Sequence, residues 1–390
     1  MKILLLSAYD AASHRYWREQ LEHEFAAYHW TQLALPPRYF NWRVRGNAMS
    51  WALQQSDVLQ AGYDLLFATS MVDLATLRGL IPALAVTPSI LYFHENQFCY
   101  PATHQQKHTL EPQMVSLYSG LAADRLVFNS AFNRDTYFSG VAQLLKKLPD
   151  QVPAGIVDRL SQKSLVLPVA ISLPVAPQPQ KENHGVFELL WNHRWEYDKG
   201  PQQLLAALQR LPSHLALRVH VVGQQFRKQP GEFDGIKSLL DARGWCGEWG
   251  FIADSQHYQD VLQNSDAVLS TSLHDFQGLA VLEGVASGCV PIVPDRLAYR
   301  ELFPAEFRYQ SFCSPSDPIT EQQISLEADA CAAAIETASK AWQSSKLSAA
   351  PDIAALSMDS LATSYRRLIE STAAVGISPP SAVTIPGHSA

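Results

Sequence analysis

The chain has 390 residues, 47% of them hydrophobic and 17% charged, with a formal net charge of −7. That composition excludes a disordered or fibrous chain and supplies apolar mass for two domain-sized cores. No run of 18 apolar residues occurs and the apolar start, Met1 to Leu6, is too short to span a bilayer and lacks a small-residue cleavage site, so an unexported, soluble, cytoplasmic protein without membrane attachment is expected.

Short apolar runs alternate with longer helical patterns: Ile3 to Leu6, Leu65 to Ala68, Ile90 to Phe93 and Arg125 to Phe128 each read as a strand, then a polar loop, then a helix. This is the pattern of β-α units feeding a parallel sheet. The stretch from Leu173 to Pro179 holds three prolines and reads as an extended linker. Beyond it the pattern restarts, with strands at Phe187 to Trp191, Leu217 to Val222, Ala267 to Ser270 and Val290 to Val293, and helices near 200–211, 234–243, 257–264 and 278–287. The expected organisation is a Rossmann-like domain over 1–175, a second over 181–350, a helix over 351–372 and a disordered Ser, Pro and Ala-rich tail over 373–390. Residues 1–180 hold 14 Lys and Arg against 13 Asp and Glu, while the remainder holds 16 against 24. The near-neutral first half can face a polyanion, and the acidic second half as a whole cannot. The five cysteines are scattered, with no Cys-x-x-Cys pair, which indicates neither a disulfide framework nor a zinc cluster.

Two α/β domains place chemistry in the loops at the carboxyl ends of their strands. After the Phe187 to Trp191 strand, Arg194 and Lys199 stand five residues apart just before a helix. Such cations either converge on a diphosphate, Arg as a fork and Lys as a point charge, or sit solvated at a turn. Further on, a polar loop carries Asp275, a helix begins near Gly278, and Glu283 lies a turn inside it. The first N–H groups of that helix, on Gly278, Leu279 and Ala280, form an anion site, and Glu283 can reach a nucleotide's hydroxyls.

The order Arg194-x-x-x-x-Lys199-Gly200, then Asp275, seven residues, Glu283, and Ala286-Ser287-Gly288-Cys289-Val290-Pro291 resembles the donor signature of retaining GT-B glycosyltransferases of family 4. The resemblance implies a GT-B fold, with two Rossmann-like α/β/α domains facing across a cleft, an acceptor-binding N-terminal domain and a sugar-nucleotide-binding C-terminal one. It implies that Arg194 and Lys199 neutralise the donor diphosphate, Asp275 binds donor-sugar hydroxyls and Glu283 binds the ribose, although Asp275 stands where that family usually has Glu. The 351–372 helix is expected to cross back to the N-terminal domain. Tyr92-Phe93-His94-Glu95-Asn96-Gln97, the Leu35 to Arg45 loop and Trp191-Asn192-His193-Arg194-Trp195 also resemble the tRNA-queuosine alpha-mannosyltransferases, over nearly the whole chain to about residue 310. That subgroup implies GDP-mannose as donor, queuosine in the anticodon of tRNA-Asp as acceptor, retention at the anomeric carbon, and no metal or other cofactor. No Asp-x-Asp stands in a strand-end loop.

On the acceptor side, Arg38, Arg43 and Arg45 are interleaved with Tyr39, Phe40 and Trp42. Cations for phosphates and rings for bases suit single-stranded RNA, while the same rings can instead pack onto the domain core. His104, Lys107 and His108 are either an extension of that patch or a solvated loop. Tyr9 to His14 occupies the place of a dinucleotide-binding glycine loop but lacks its glycines, which argues against a nicotinamide enzyme. Ser13 and His14 are instead placed against donor or acceptor. The resemblance carries a donor-sugar contact to His94, whose alternative is a hydrogen bond within the sheet. Glu95 and Asn96 are placed at the acceptor, and Ser130 is either there or a helix cap. Cys99 reads as a small buried side chain rather than a nucleophile. Two further classes stay open: a GT-B enzyme acting on a lipid-linked or cell-wall glycan, which would call for a basic amphipathic docking helix that the sequence does not supply, and a silent sugar-nucleotide or RNA binder.

Overall fold

The computed structural model describes residues 1–99, 110–148, 150–174, 185–314 and 319–375. His104, Lys107, His108, most of the Pro-rich linker and the tail from 376 lie outside these residues. The first half contains β1 (Lys2–Ser7), β2 (His29–Ala34), β3 (Leu65–Thr69), β4 (Ser89–Phe93), β5 (Arg125–Phe128) and β6 (Ser164–Val166). They form one parallel sheet in the order β2-β1-β3-β4-β5-β6. The second half contains β7 (Phe187–Asn192), β8 (Leu217–Val222), β9 (Cys246–Gly250), β10 (Ala267–Leu269), β11 (Val290–Pro294) and β12 (Arg308–Tyr309), ordered β12-β11-β10-β7-β8-β9, again all parallel.

Every residue of β3 and β4 is buried because helices cover both faces of the sheet. Leu4, Leu66 and Leu91 pack on one face, Ile3, Phe67 and Tyr92 on the other. The second face is closed by the helices Ala12–Glu24 and Met358–Val375, whose Tyr365, Leu368 and Ile369 join the core of the first sheet. Tyr365 takes a hydrogen bond from Trp17 Nε1 (3.2 Å) and donates to the carbonyl of Pro168 (2.8 Å). The helix expected over 351–372 resolves into a 3-10 turn at Ala354–Leu356 and a helix that runs on to Val375, so residues 373–375, expected in the tail, are helical. The second sheet is backed by a 23-residue helix, Glu321–Gln343, that the sequence reading did not separate. It opens with a capping box between Thr320 and Gln323.

In each sheet the chain turns outward in opposite directions from two neighbouring strands, β1 and β3 in the first and β7 and β10 in the second. Crevices at the carboxyl ends of such strands are where open α/β sheets bind ligands. The halves are bridged beside these crevices. Gln277 donates to the carbonyl of Val169 (2.8 Å) and accepts from its N–H (3.0 Å). Glu301 accepts from the N–H groups of Ala131 and Phe132 (2.9 and 3.0 Å), capping the helix Ala131–Lys147 across the interface.

Candidate active site

From the end of β7, the Arg194 to Lys199 turn enters the crevice against the loop that follows β10. The Trp191 indole donates to Thr271 Oγ1 (2.9 Å), whose hydroxyl donates to the carbonyl of Lys199 (2.9 Å). Lys199, only 9% exposed, donates to the carbonyl of His274 (2.8 Å) and pairs with Asp198 (3.2 Å) and Asp275 (3.6 Å). Burial alone would lower its pKa, but the two carboxylates outweigh it and hold the ammonium above its ordinary value. Asp275 is likewise held below the usual carboxylate range: burial opposes the charge, while Lys199, His193 and the Gly278 N–H favour it. Arg194 pairs with Glu196 (3.0 Å). Glu283 accepts a hydrogen bond from Tyr258 (2.8 Å), and burial raises its pKa. Asn192 ties Tyr258 Oη (2.6 Å) to the carbonyl of Ala280 (3.3 Å).

Facing this charged wall, the first half presents uncharged rings. His14 stacks on His94 with ring centroids 4.1 Å apart, and Trp17 and Tyr92 close around His94 at 4.9 and 4.8 Å. Burial pulls His14 down to about 4, and burial with the His14 neighbour pulls His94 well below its ordinary value, so both imidazoles are neutral at pH 7. His14 Nδ1, His94 Nε2, Ser7 Oγ and Thr69 Oγ1 are buried without a hydrogen-bond partner at the ends of three adjacent strands or in the helix above them. The two walls meet electrostatically, since Arg194 acts on His14 and both Arg194 and Glu196 act on Tyr9.

Comparison with known proteins fits this geometry. Residues 2–171 match the family described as tRNA-queuosine alpha-mannosyltransferase N-terminal, and residues 175–324 match glycosyl transferases group 1. A tRNA-queuosine alpha-mannosyltransferase of Drosophila melanogaster is 32% identical over 288 residues, covering 71% of this chain and 75% of the fly protein. The chain belongs to the tRNA-queuosine alpha-mannosyltransferase family. It is a glycosyltransferase, and its fold is GT-B. Sucrose-phosphate synthase from Thermosynechococcus elongatus superposes with a TM-score of 0.63 at 15% identity, covering 96% of this chain and all of that one. HepE from Anabaena in complex with UDP gives 0.58 at 14%, covering 95% and 100%. Each shares the fold.

In this mannosyltransferase family member Arg194, Lys199, Asp275 and Glu283 line one crevice, and the structure amends the sequence reading of several other residues. The helix starts at Leu279, with Gly278 as its left-handed N-cap (φ 74°), and the Gly278 N–H is taken by Asp275 Oδ1 at 2.8 Å. Gly278 is therefore not an open anion donor, and Asp275 closes the turn that leads into the helix and braces Lys199. Ser13 and His14 lie in the first turn of the helix Ala12–Glu24 rather than in a loop, and His14 is buried under His94. Asn96, expected at the acceptor, is fully buried: its amide donates to Asn133 and Thr136 and its oxygen accepts from the N–H of Phe98, so it builds the loop instead. Glu95 is half-buried and, after burial, is the next cause that raises the pKa of Tyr9. Ser130 caps the helix Ala131–Lys147 through the N–H of Asn133. Burial pushes the Cys99 thiol up to about 11, away from a nucleophile's range.

The basic, aromatic segment is also no loop. Tyr39 (φ 56°) opens a helix over Phe40–Gln54, which carries Trp42, Arg43 and Arg45 on its first two turns. Phe40 packs edge-on to Tyr9, whereas Tyr39 and Trp42 are 73% and 48% exposed. Arg38 is exposed over the Tyr39 ring at 5.8 Å. Arg43 is half-buried with an unpartnered Nε. Arg45 is bound to Asp73 (2.8 Å) and Glu111 (3.5 Å), so it is not the free phosphate contact its spacing suggested. Sequence reasoning missed Asp198, Glu196 and His193, all inside the segment it quoted, and Tyr258 and Tyr299, which come from distant elements and leave no local signal. His193 is buried beside Lys199 and Asp275, with burial lowering its pKa to about 3. Among the described residues no group of three His, Cys, Asp or Glu side chains is placed to hold a metal ion, and no helix is long and apolar enough to cross a membrane.

Proposed function

We propose that the protein transfers mannose, with retention, from GDP-mannose to queuosine in the anticodon of tRNA-Asp, in the cytoplasm. The fly relative, matched across both halves, carries this reading, and the pairing of a cationic donor wall with an exposed Arg and aromatic helix supports it. The donor diphosphate exchanges the carboxylate partners of Lys199 and Arg194 for phosphate oxygens. Lys199, buried and held above its ordinary pKa, stays charged as the diphosphate leaves. A neutralised diphosphate departs without a strong general acid, so the neutral His94 serves as a hydrogen-bonding group at the donor sugar rather than as a proton source. Glu283, steadied by Tyr258, takes the ribose hydroxyls. The charge needed at the leaving group comes from the chain itself, so turnover requires no metal and is expected to be unchanged by EDTA.

The test is incubation of the purified protein with GDP-mannose and total tRNA from queuosine-proficient and queuosine-deficient cells, followed by nucleoside mass spectrometry. A hexose mass gain on queuosine in the proficient sample alone is expected. Absence of that gain with several sugar nucleotides would move the acceptor to another molecule.

A further inference from the structure

The helix Leu110–Ala122 and the helix Leu74–Leu80 meet the Phe40–Gln54 helix around a cavity of about 530 Å³ that no step above uses. Its walls include Arg45, Asp73, Thr76, Glu111, Met114 and Tyr118. That volume lies in the range of small-ligand sites, roughly 300–1,000 Å³. Tyr118 is 54% exposed at its mouth, and Trp42 lies three residues before Arg45, hence on the same helix face. One wall is polar. Arg45 Nη1 donates to Asp73 (2.8 Å) and lies 3.4 Å from Thr76 Oγ1, while its Nε faces Glu111 at 3.5 Å.

The charge count decides what fits. Among the described residues, one guanidinium against two carboxylates leaves the wall net negative, which disfavours a phosphate there. It suits an uncharged base edge with two adjacent N–H donors for a carboxylate and a neighbouring carbonyl for a guanidinium. Among the bases only the guanine type presents that edge, as N1–H, the 2-amino group and O6. We infer that this cavity reads the Watson–Crick edge of the acceptor nucleobase: Glu111 takes N1–H and the 2-amino group, Arg45 donates to O6, and Tyr118 and Met114 take the ring faces. The inference rests on the acceptor reading above and deepens it, because queuosine is a 7-deazaguanosine that keeps this edge. Its diol-bearing arm leaves position 7 on the opposite side of the base. The cavity is tied to the loop that carries His94. Gln97, three residues beyond His94, donates to Met71 Sδ (3.4 Å) and accepts from Gln113 (3.5 Å), while Asn47 spans the Met71 carbonyl (3.2 Å) and the Asp73 N–H (3.1 Å).

The test uses the full chain and anticodon-sized RNA hairpins that differ only at the acceptor position, which holds queuosine, guanosine, inosine or adenosine. The wild-type protein is expected to bind the queuosine and guanosine hairpins roughly tenfold or more tightly than the inosine one, which lacks the 2-amino group, and the adenosine one. Glu111→Gln should bring all four within about twofold while GDP affinity and the salt dependence of RNA binding stay as in wild type. Tyr118→Ala should weaken every hairpin by about fivefold or more, with Tyr118→Phe restoring it. An unchanged base ranking in Glu111→Gln, or a reduced salt slope marking a lost phosphate contact, would overturn the proposal. If Tyr118→Ala does not fold, the Glu111→Gln ranking decides alone. A guanosine-over-inosine preference that Glu111→Gln abolishes, in a protein that transfers no hexose, would keep the pocket and reject the queuosine reading. Hexose transfer without any such preference would do the reverse.

Discussion

Around the crevice the C-terminal half sets charge against charge, Lys199 between Asp198 and Asp275 and Arg194 on Glu196, with a second buried pair, Arg296 and Glu327 (2.6 Å), behind the same loop. The N-terminal half answers with neutral rings, His14 on His94 inside Trp17 and Tyr92, and with arginines spread over a helix surface. Under the function proposed above, the difference follows from what each wall has to hold. A diphosphate has a fixed charge and can be met by preorganised ions held in place by one another. A base and a diol are uncharged and are met by shape, stacking and single hydrogen bonds.

Breaking the ionic side should have the largest effect. Lys199→Ala is expected to cut turnover by roughly 10³-fold with the fold intact by circular dichroism, since one preorganised charge at a leaving group supplies that much. A loss under tenfold would refute its role at the diphosphate. Next is the support of the Ser270 to Asp275 loop. Arg296 Nε donates to the carbonyl of Ser272 (2.9 Å), and Glu327 accepts from the N–H groups of Phe312 and Cys313 (2.9 and 3.0 Å). Arg296→Met strands the buried Glu327 carboxylate and should cost about 3–5 kcal/mol in denaturant unfolding.

Buried neutral imidazoles stand on both walls and add a pH dependence. His14, His193 and His274 are buried, with folded pKa values lowered by burial to about 4, about 3 and about 4. The unfolded chain binds these protons first, so stability is full above pH 6.5, falls as pH drops from 6.5 toward 4 for His14 and His274 and toward 3 for His193, and levels off for each group once its folded state is protonated too. Each should contribute about 2 kcal/mol of loss by pH 5, seen as a falling thermal midpoint. His14→Phe, which keeps a stacking ring without the proton, should flatten that slope by one group's share.

The smallest effect isolates the exposed aromatic helix. A Cβ added at Gly46 would come within 2.3 Å of the Trp42 indole, so Gly46→Ala must displace that ring while improving helix propensity. RNA binding should weaken by roughly threefold to tenfold with GDP binding unaltered and stability equal or higher; equal RNA affinity would remove Trp42 from the acceptor surface.

Eight strands were legible in the sequence, and they are the inner strands of the two sheets; β2, β6, β9 and β12, the four edges, were not. The reason is burial: β3 and β4 are buried throughout and read as unbroken apolar runs, whereas β2 (HWTQLA) and β9 (CGEWG) are only partly buried, with few fully covered positions. The Glu321–Gln343 helix was blurred by its small residues, Ala and Ser, whose apolar period is weak although the helix packs firmly.

The same split runs through the site. Arg194, Lys199, Asp275 and Glu283 could be singled out in the sequence because a strand-end turn carries the first two and a loop running into a helix carries the other two, at short fixed spacings. What the sequence by itself determined is the pair of parallel sheets and the cationic donor signature, both written in contiguous residues. What only the tertiary structure decided is how those charges are partnered and what faces them: Asp275 on Lys199, Tyr258 on Glu283, Arg45 on Asp73, and His14 on His94, 80 residues apart in the chain. Each of these contacts joins different elements, and a contact between distant segments is fixed by the packing of sheets and helices, which no local pattern encodes.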